Sequence, residues 1–259
     1  MRILGVDIGG TNIDVVLYDG SFHKIGSFST KEAFSSGINE FLSKIVETTE
    51  ANAVGVGAAV WYKKGKPIHA PNLPSLPDIS LDVPTTIEND ANCFAVYAHS
   101  VFGFSNLIAI TVGTGVGSGI IMNGELYRGD GLAGEIGHCY VGGKRKCSCG
   151  GVGHLEAYFS GRALEKYGDV RELVSSGKIY SLQEFDMFCI AVANAVKLLD
   201  PSAVVIGGRL GIALSIDRVA NGIHRYLNHG FKPSIVTLED ELAVAKGACL
   251  VCLKTISES

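Results

Sequence analysis

Charge is scarce in this sequence. Lys, Arg, Asp and Glu make up 19% of the 259 residues and sum to a formal −4, so the basic field that draws nucleic acid or an anionic membrane surface is missing. No apolar run reaches the ~18–20 residues of a bilayer span, and the opening MRILGVDIGG has neither an apolar core segment nor a cleavage site of a secretory signal. The expectation is a cytoplasmic protein with no membrane and no nucleic-acid partner. Cysteine is odd in number, at seven, which argues against a disulfide framework. Cys93, Cys189, Cys249 and Cys252 sit in apolar or helical patterns and read as buried thiols, leaving Cys147 and Cys149, with Cys139 nearby, for chemistry. What is plentiful is apolar residues, 47%, enough for a sizeable core, and glycine, whose 33 copies fall in short clusters that mark tight turns or close ligand approaches.

Along the chain, Ile3 to Gly20 reads as strand, turn, strand, ending on an Asp-Gly hairpin signal. Residues 108–124 repeat the plan: IAITV, GTGVGSG, then IIMNG ending on Asn-Gly. The two glycine-centred hairpins read as the openings of two related halves. Between them, Ile38, Phe41, Leu42, Ile45 and Val46 have helical spacing, and AVGVGAAVWY reads as one buried strand. Pro67, Pro71, Pro74, Pro77 and Pro84 make 65–84 a mostly irregular loop, and PTTIEND is a short strand running into a helix from about Ala91 to Val101. In the second half LEAYFSGRALEKYG reads as helical. The stripe Phe185, Phe188, Cys189, Val192, Val196, Leu199 forms another helix, and AVVIGG is a strand into a Gly-Gly turn. Two helices, about 213–228 and 241–256, flank a strand at SIVTL. Strands alternating with helices make this an α/β protein.

Five constellations carry chemistry. In DIGGT, Asp7 ends a strand, Gly9 and Gly10 let backbone N–H groups approach phosphate oxygens, and Thr11 donates a hydrogen bond; an ordinary hairpin turn is the alternative. GTGVGSG, Gly113 to Gly119, is a second phosphate turn that matches neither dinucleotide nor P-loop spacing. ENDAN puts Asn89 and Asp90 where a strand meets a helix. Asp90 there suits a general base and Asn89 a hydroxyl orienter, while a plain N-cap is the competing reading. Glu135 and His138 in GEIGH, with Glu156 beyond, can grip adjacent hydroxyls as a sugar requires. His138, Cys147, Cys149 and His154 offer two imidazoles and two thiolates for a tetrahedral Zn²⁺, against a glycine-flanked surface loop. Lys144, Arg145 and Lys146 read as a solvated run.

VGTGVGSGI, eight residues, Gly129 and the closing GEIGH resemble the signature of the ROK family of sugar kinases and repressors. DIGGT, ENDAN, CSCGGVGHLE and VVIGG follow in that family's order, so the resemblance spans nearly the whole chain. It implies the actin-like ATPase (ribonuclease H-like) fold, two lobes around an active-site cleft. The expected lobes are residues 1–104, with a C-terminal helix at about 243–259 packing back on them, and residues 105–242, carrying the zinc loop. The resemblance implies Asp90 as general base. Sugar would be bound by Asn72, Asn89, Asp90, Glu135, His138 and Glu156. ATP would be held by Asp7, Gly9, Gly10, Thr11, Gly113, Thr114, Gly115 and Gly117 at its phosphates and by Gly207 and Gly208 near the adenosine. Mg²⁺ would accompany ATP, and His138, Cys147, Cys149 and His154 would hold a structural zinc. Three features depart from the family pattern. His154 replaces the third cysteine of its metal loop, Gly57-Ala58-Ala59-Val60 replaces its GxPG turn, and the segment around 168–185 is short.

The expected activity is ATP-dependent phosphorylation of a hexose, as a hexokinase or glucokinase, at the 6-hydroxyl. The alternatives are an N-acetylmannosamine or N-acetylglucosamine kinase of the same mechanism and, in another class, a non-catalytic sugar sensor or ROK-type regulator. The expected assembly is a homodimer or higher homo-oligomer.

Overall fold

A computed structural model describes residues 1–64, 66–70, 73, 75 and 77–258. The chain divides into two compact units. The first comprises Met1–Val101, Arg128–Ala133 and Glu241–Ser259, and the second Phe102–Tyr127 and Gly134–Asp240.

The first unit opens with β1 (Ile3–Ile8), β2 (Asn12–Tyr18) and β3 (Phe22–Ser29), followed by helices α1 (Thr30–Ser35) and α2 (Ile38–Thr49). Strand β4 (Ala53–Ala58), a short hairpin β5 (Trp61–Lys63) and β6 (Lys66–His69), strand β7 (Thr85–Asn89) and helix α3 (Asp90–Phe102) complete its first pass. The second unit runs through β8 (Leu107–Val112), β9 (Val116–Met122), β10 (Glu125–Tyr127), α4 (Gly161–Leu164), α5 (Val170–Ser175) and α6 (Gln183–Leu199). It continues with β11 (Ala203–Gly207), α7 (Gly208–Gly211), α8 (Ile216–His224) and β12 (Ser234–Thr237), and α9 (Ala243–Ser257) returns to the first unit.

Each unit is built on a five-stranded sheet of one plan. The orders are β3-β2-β1-β4-β7 and β10-β9-β8-β11-β12, three antiparallel strands followed by two parallel ones. The Asp19-Gly20 and Asn123-Gly124 turns join the outer hairpins, and Asn123 takes the left-handed φ of 55° that such a turn requires. Strands β1, β4, β8 and β11 are buried almost throughout, as inner strands covered on both faces are. Helix α9 lies directly on the first sheet: a Cβ on Gly55 would overlap the Ala248 carbonyl, so glycine there permits the helix backbone to close on the strand. In the second unit Phe159 stacks on Phe188 with centroids 4.8 Å apart, and Phe185 is buried beside them. Among the described residues no helix is long and apolar enough to cross a membrane.

Three local expectations change. The strand expected over AVGVGAAVWY stops at Ala58, where Val60 N–H turns back onto the Ala58 carbonyl at 2.7 Å, and Trp61 starts a separate hairpin. That hairpin carries Pro67 opposite Tyr62, so part of the proline-rich stretch is strand, exposed along all of β6 as a strand outside the main sheets can be. The helix expected over 155–168 is broken: Leu155–Ala157 is a single 3₁₀ turn, Ser160 is extended and caps Ala163 N–H, and Gly161 N–H is drawn to the Gly113 carbonyl at 2.7 Å.

Candidate functional site

In the first unit the parallel strands bring Asp7, Gly57 and Glu88 into one row, followed by Ala58 and Asn89 in the next. Asp7 therefore stands at the carboxyl end of the sheet beside the start of α3. The DIGGT turn is fixed from below: Thr30 Oγ1 donates to the Gly9 carbonyl at 2.7 Å and Thr30 N–H to the Thr11 carbonyl at 3.0 Å, while Gly10 and Thr11 are exposed. Burial, then the neighbouring charges of Asp90 and Asp14, hold the Asp7 carboxyl well above its usual range. A partly buried carboxyl under like-charge stress favours a cation beside it.

The helix start at ENDAN is doubly capped. Asn89 Oδ1 accepts from Ala91 N–H at 2.9 Å and Asn92 N–H at 3.2 Å, and Asp90 Oδ1 accepts from Ala91 N–H at 2.9 Å. Asn89 Nδ2 also donates to the Val60 carbonyl at 3.3 Å. The cap reading therefore holds for Asn89, whose carbonyl is engaged by the backbone and whose amide keeps a second hydrogen. Asn72 lies outside the described residues.

In the second unit the turn Gly113-Thr114-Gly115 closes with a Gly113 N–H to Gly115 carbonyl bond of 2.9 Å. Its carbonyls face α4, accepting from Gly161 N–H at 2.7 Å and Arg162 N–H at 3.5 Å. Gly207 pairs in register with Thr111, and Gly208 follows at a φ of 78°, packed against Val112, so both proposed nucleotide segments adjoin β8. Glu156 bridges two motifs. Its Oε2 accepts from Val116 N–H at 3.0 Å and its Oε1 from Ser148 Oγ at 2.8 Å, Ser148 being the residue between the two loop cysteines.

The GEIGH segment folds as a 3₁₀ turn, Ile136–His138, pressed onto β9. A Cβ on Gly137 would overlap the Val116 carbonyl, which is why this position is glycine. His138 is shared between neighbours: Nδ1 lies 3.5 Å from Cys147 Sγ, and Nε2 lies 3.9 Å from Glu135 Oε2. His154 Nδ1 lies 3.2 Å from Cys149 Sγ. The ligand atoms of His138, Cys147, Cys149 and His154 all fall within 4.8 Å of one another. A tetrahedral ion with bonds of ~2.0–2.3 Å, whose ligands stand about 3.3–3.8 Å apart, is reached from there by small side-chain movements. The donor set, two thiols and two imidazoles, fits zinc.

The run Lys144-Arg145-Lys146 is only partly solvated. Arg145 Nη2 pairs with Glu184 at the start of α6 at 2.7 Å, and Lys166 Nζ and Tyr167 Oη reach the same oxygen, each at 2.8 Å. Arg145 also lies over the Tyr158 ring, 4.4 Å from its centroid. Burial pushes the Glu184 carboxyl up, and the Lys166, Arg145 and Tyr167 hydrogen bonds outweigh it and bring the group down to about 2. A depressed carboxylate stabilises the fold above its unfolded pKa and loses that contribution as pH falls from ~4.5 toward about 2. Glu184→Gln is expected to destabilise the protein at neutral pH by about 2 kcal/mol, moderated because both cations are partly solvated. The difference from wild type should shrink as pH falls through that window. Urea unfolding at pH 7 and pH 3.5 checks it, and an unchanged midpoint at pH 7 would remove Glu184 from the set of residues that anchor the loop carrying Cys147 and Cys149.

Glu88, Arg128, Ser148 and Glu184 were not singled out from sequence. Glu88 had a usable signal, an acid in a strand directly before the Asn-Asp pair. The others take their partners from the fold.

The ROK family model matches residues 3–249. Among curated relatives, the glucokinase of Streptomyces coelicolor is 31% identical, covering 88% of each chain. The xylose repressor of Bacillus spizizenii is 30% identical over 90% of this chain and 70% of its own. The N-acetyl-D-glucosamine kinase of Pasteurella multocida is 28% identical over 80% and 83%. Among solved structures, the ROK hexokinase from Thermus thermophilus superposes with a TM-score of 0.83 at 28% identity, covering 100% of both chains. The ROK family glucokinase from Streptomyces griseus, in complex with glucose and AMPPNP, gives 0.80 at 26% identity over 98% of this chain and 100% of that one. The two-sheet plan is thus the actin-like ATPase fold. With a family match over most of its length and a relative above 30% identity, this chain belongs to the ROK family.

Proposed function

We propose that this ROK family sugar kinase transfers the γ-phosphoryl group of ATP to the 6-hydroxyl of a hexose, glucose foremost, with Asp90 as general base. The observation that carries the reading is the sheet register that sets Asp7 in one row with Glu88, two residues before Asp90 at the start of α3, so that Asp7 and Asp90 lie at the same end of the first sheet. One carboxylate serves as base and the other as cation holder. Asp90 takes the hydroxyl proton, O6 forms its bond to the γ-phosphorus, and the β–γ bridging P–O bond breaks to release ADP. Mg²⁺, held through the Asp7 side, would neutralise charge on the phosphates. Asn72, Asn89, Glu135, His138 and Glu156 bind the sugar. The backbone of Asp7–Thr11 and Gly113–Gly117 faces the phosphates, and Gly207 and Gly208 lie by the adenosine. His138, Cys147, Cys149 and His154 hold one structural zinc.

An N-acetylhexosamine kinase is the second reading, supported by the similarity to the N-acetyl-D-glucosamine kinase. A sugar-binding regulator is the third, supported by the comparable similarity to the xylose repressor. Coupled ADP release across glucose, mannose, fructose, N-acetylglucosamine and N-acetylmannosamine separates them. Glucose is expected to have the highest kcat/KM. A preference for an N-acetylated sugar moves the assignment to the second reading, and sugar binding with no ADP release from any of them moves it to the third.

A further inference from the structure

Glu88 is a carboxylate buried to about nine-tenths, set two residues before Asp90. Such a group persists only when its oxygens are well partnered. Its Oε1 accepts from Asn89 N–H at 2.8 Å and from the Asn92 side-chain amide at 2.9 Å, and its Oε2 receives Arg128 Nε at 2.6 Å. The first two partners are neutral and local to the helix start. The third is a positive charge brought from 40 residues away.

Arg128 opens the segment Arg128–Ala133, which departs from β10 to join the first unit. That segment is anchored where Arg128 needs it. Lys64 N–H donates to the Asp130 carbonyl at 2.9 Å, and Ala133 N–H donates back to the Arg128 carbonyl at 3.2 Å. Gly131, at a φ of 117°, packs so close to the Tyr62 carbonyl that no side chain fits. The anchored segment then runs directly into Gly134 and Glu135.

We propose that Arg128 is a positioning residue for the phosphoryl transfer: by pairing with Glu88 it fixes the start of α3 and so the carboxylate of Asp90. The inference rests on the kinase reading above. Electrostatics agree with the geometry. The buried Cys93 thiol is held well above its ordinary range by burial and then by Glu88, Asp90 and Asp7, with Arg128 acting in the opposite direction, so these groups share one local field. Without the guanidinium, the Asn89-Asp90 corner would rest on a buried and unneutralised carboxylate. The caps at Ala91 and Asn92 would survive, but the cheapest relief, turning Glu88 toward water, would release Asn92 and shift the helix start. A displacement of that kind near the reacting atoms costs turnover more than binding.

The test is a double-mutant cycle with the sugar that wild type turns over best. Arg128→Gln and Glu88→Gln are each expected to lower kcat roughly 10- to 100-fold with little change in the KM for ATP. The combined variant is expected to be no worse than the poorer single one, because both act through one contact. Arg128→Lys, which keeps the charge and loses the planar fork, should recover part of the turnover. Thermal unfolding is recorded for every variant. A fall in Tm with kcat per folded protein at the wild-type level, or additive losses in the cycle, overturns the proposal. If Arg128→Gln does not fold, Arg128→Lys decides: kcat equal to wild type overturns it and a partial loss at unchanged Tm supports it. Wild-type and Asp90→Asn assays run alongside keep the two claims apart. No turnover by wild type with any sugar removes the kinase reading itself, whereas loss on Asp90→Asn with normal turnover by Arg128→Gln removes only this inference.

Discussion

Replacing Asp90 by asparagine is expected to lower kcat by roughly 10²- to 10⁴-fold, the range for removal of a general base, while glucose affinity stays near that of wild type. Asparagine keeps an oxygen where Asp90 Oδ1 accepts Ala91 N–H, and Asn89 independently caps the same helix through Ala91 and Asn92. The fold around the site should therefore survive, and lost turnover can be read as lost chemistry. Removing the Asp90 charge also removes one of the influences that raise the Asp7 carboxyl, so Asp7 should ionise more readily in the variant. Affinity for Mg-ATP is then expected to hold or improve as kcat collapses. That split between nucleotide binding and turnover is what a base, as opposed to a cation ligand, predicts. Isothermal titration with glucose and a non-hydrolysable ATP analogue, alongside coupled ADP release, makes the comparison. Near-normal kcat would dismiss Asp90 as the base, and loss of nucleotide binding would recast it as a metal-holding carboxylate.

What could be read in the sequence, and what could not, divides along the range of the interactions involved. The two glycine-centred hairpins, the Asp-Gly and Asn-Gly turns and the stripe on α6 are local patterns, and each is present in the fold. The matching order of the two sheets follows the repeat seen between residues 3–20 and 108–124. The β5–β6 hairpin was illegible because β6 is exposed along its length, so no alternation marks it, and its proline argued for loop. The break in the helix over 155–168 depends on Gly161 being drawn to Gly113, a contact that no local pattern encodes. Arg145 reads as solvated in sequence because its partner Glu184 is 39 residues away. In the same way, the partner of Glu88 is Arg128, 40 residues away. Spacing suffices to name the proposed site residues; the long-range contacts that hold their segments in place have no local signal.

Removing the proposed zinc from the loop, by exhaustive chelation or by Cys147→Ser, should raise the sugar KM at least tenfold and lower Tm by only about 2–4 °C. The reason lies in what the four candidate ligands flank. Ser148 sits between Cys147 and Cys149 and donates to Glu156 Oε1 at 2.8 Å, while Glu156 Oε2 receives Val116 N–H beside the Gly113–Gly115 turn at 3.0 Å. His138 turns Nδ1 toward Cys147 and Nε2 toward Glu135, so an ion on Nδ1 would fix the ring that faces a proposed sugar ligand. Releasing the thiols frees Ser148 and the imidazole together, and both Glu156 and Glu135 lose a neighbour that orients them. The Arg145–Glu184 pair and the Tyr140–His154 and Lys146–Val152 bridges would keep the loop attached to the unit, so the damage should fall on sugar affinity more than on global folding. Elemental analysis is expected to find about one zinc per chain in wild type and almost none in Cys147→Ser. His154→Cys, which restores the third cysteine of the family pattern, should retain zinc and near-normal KM, because it exchanges one ligand for another of suitable chemistry. Two results would end the argument: a metal-free wild-type protein with unchanged KM, or full zinc content after Cys147→Ser. The first separates the metal from the sugar ligands, and the second places the ion elsewhere.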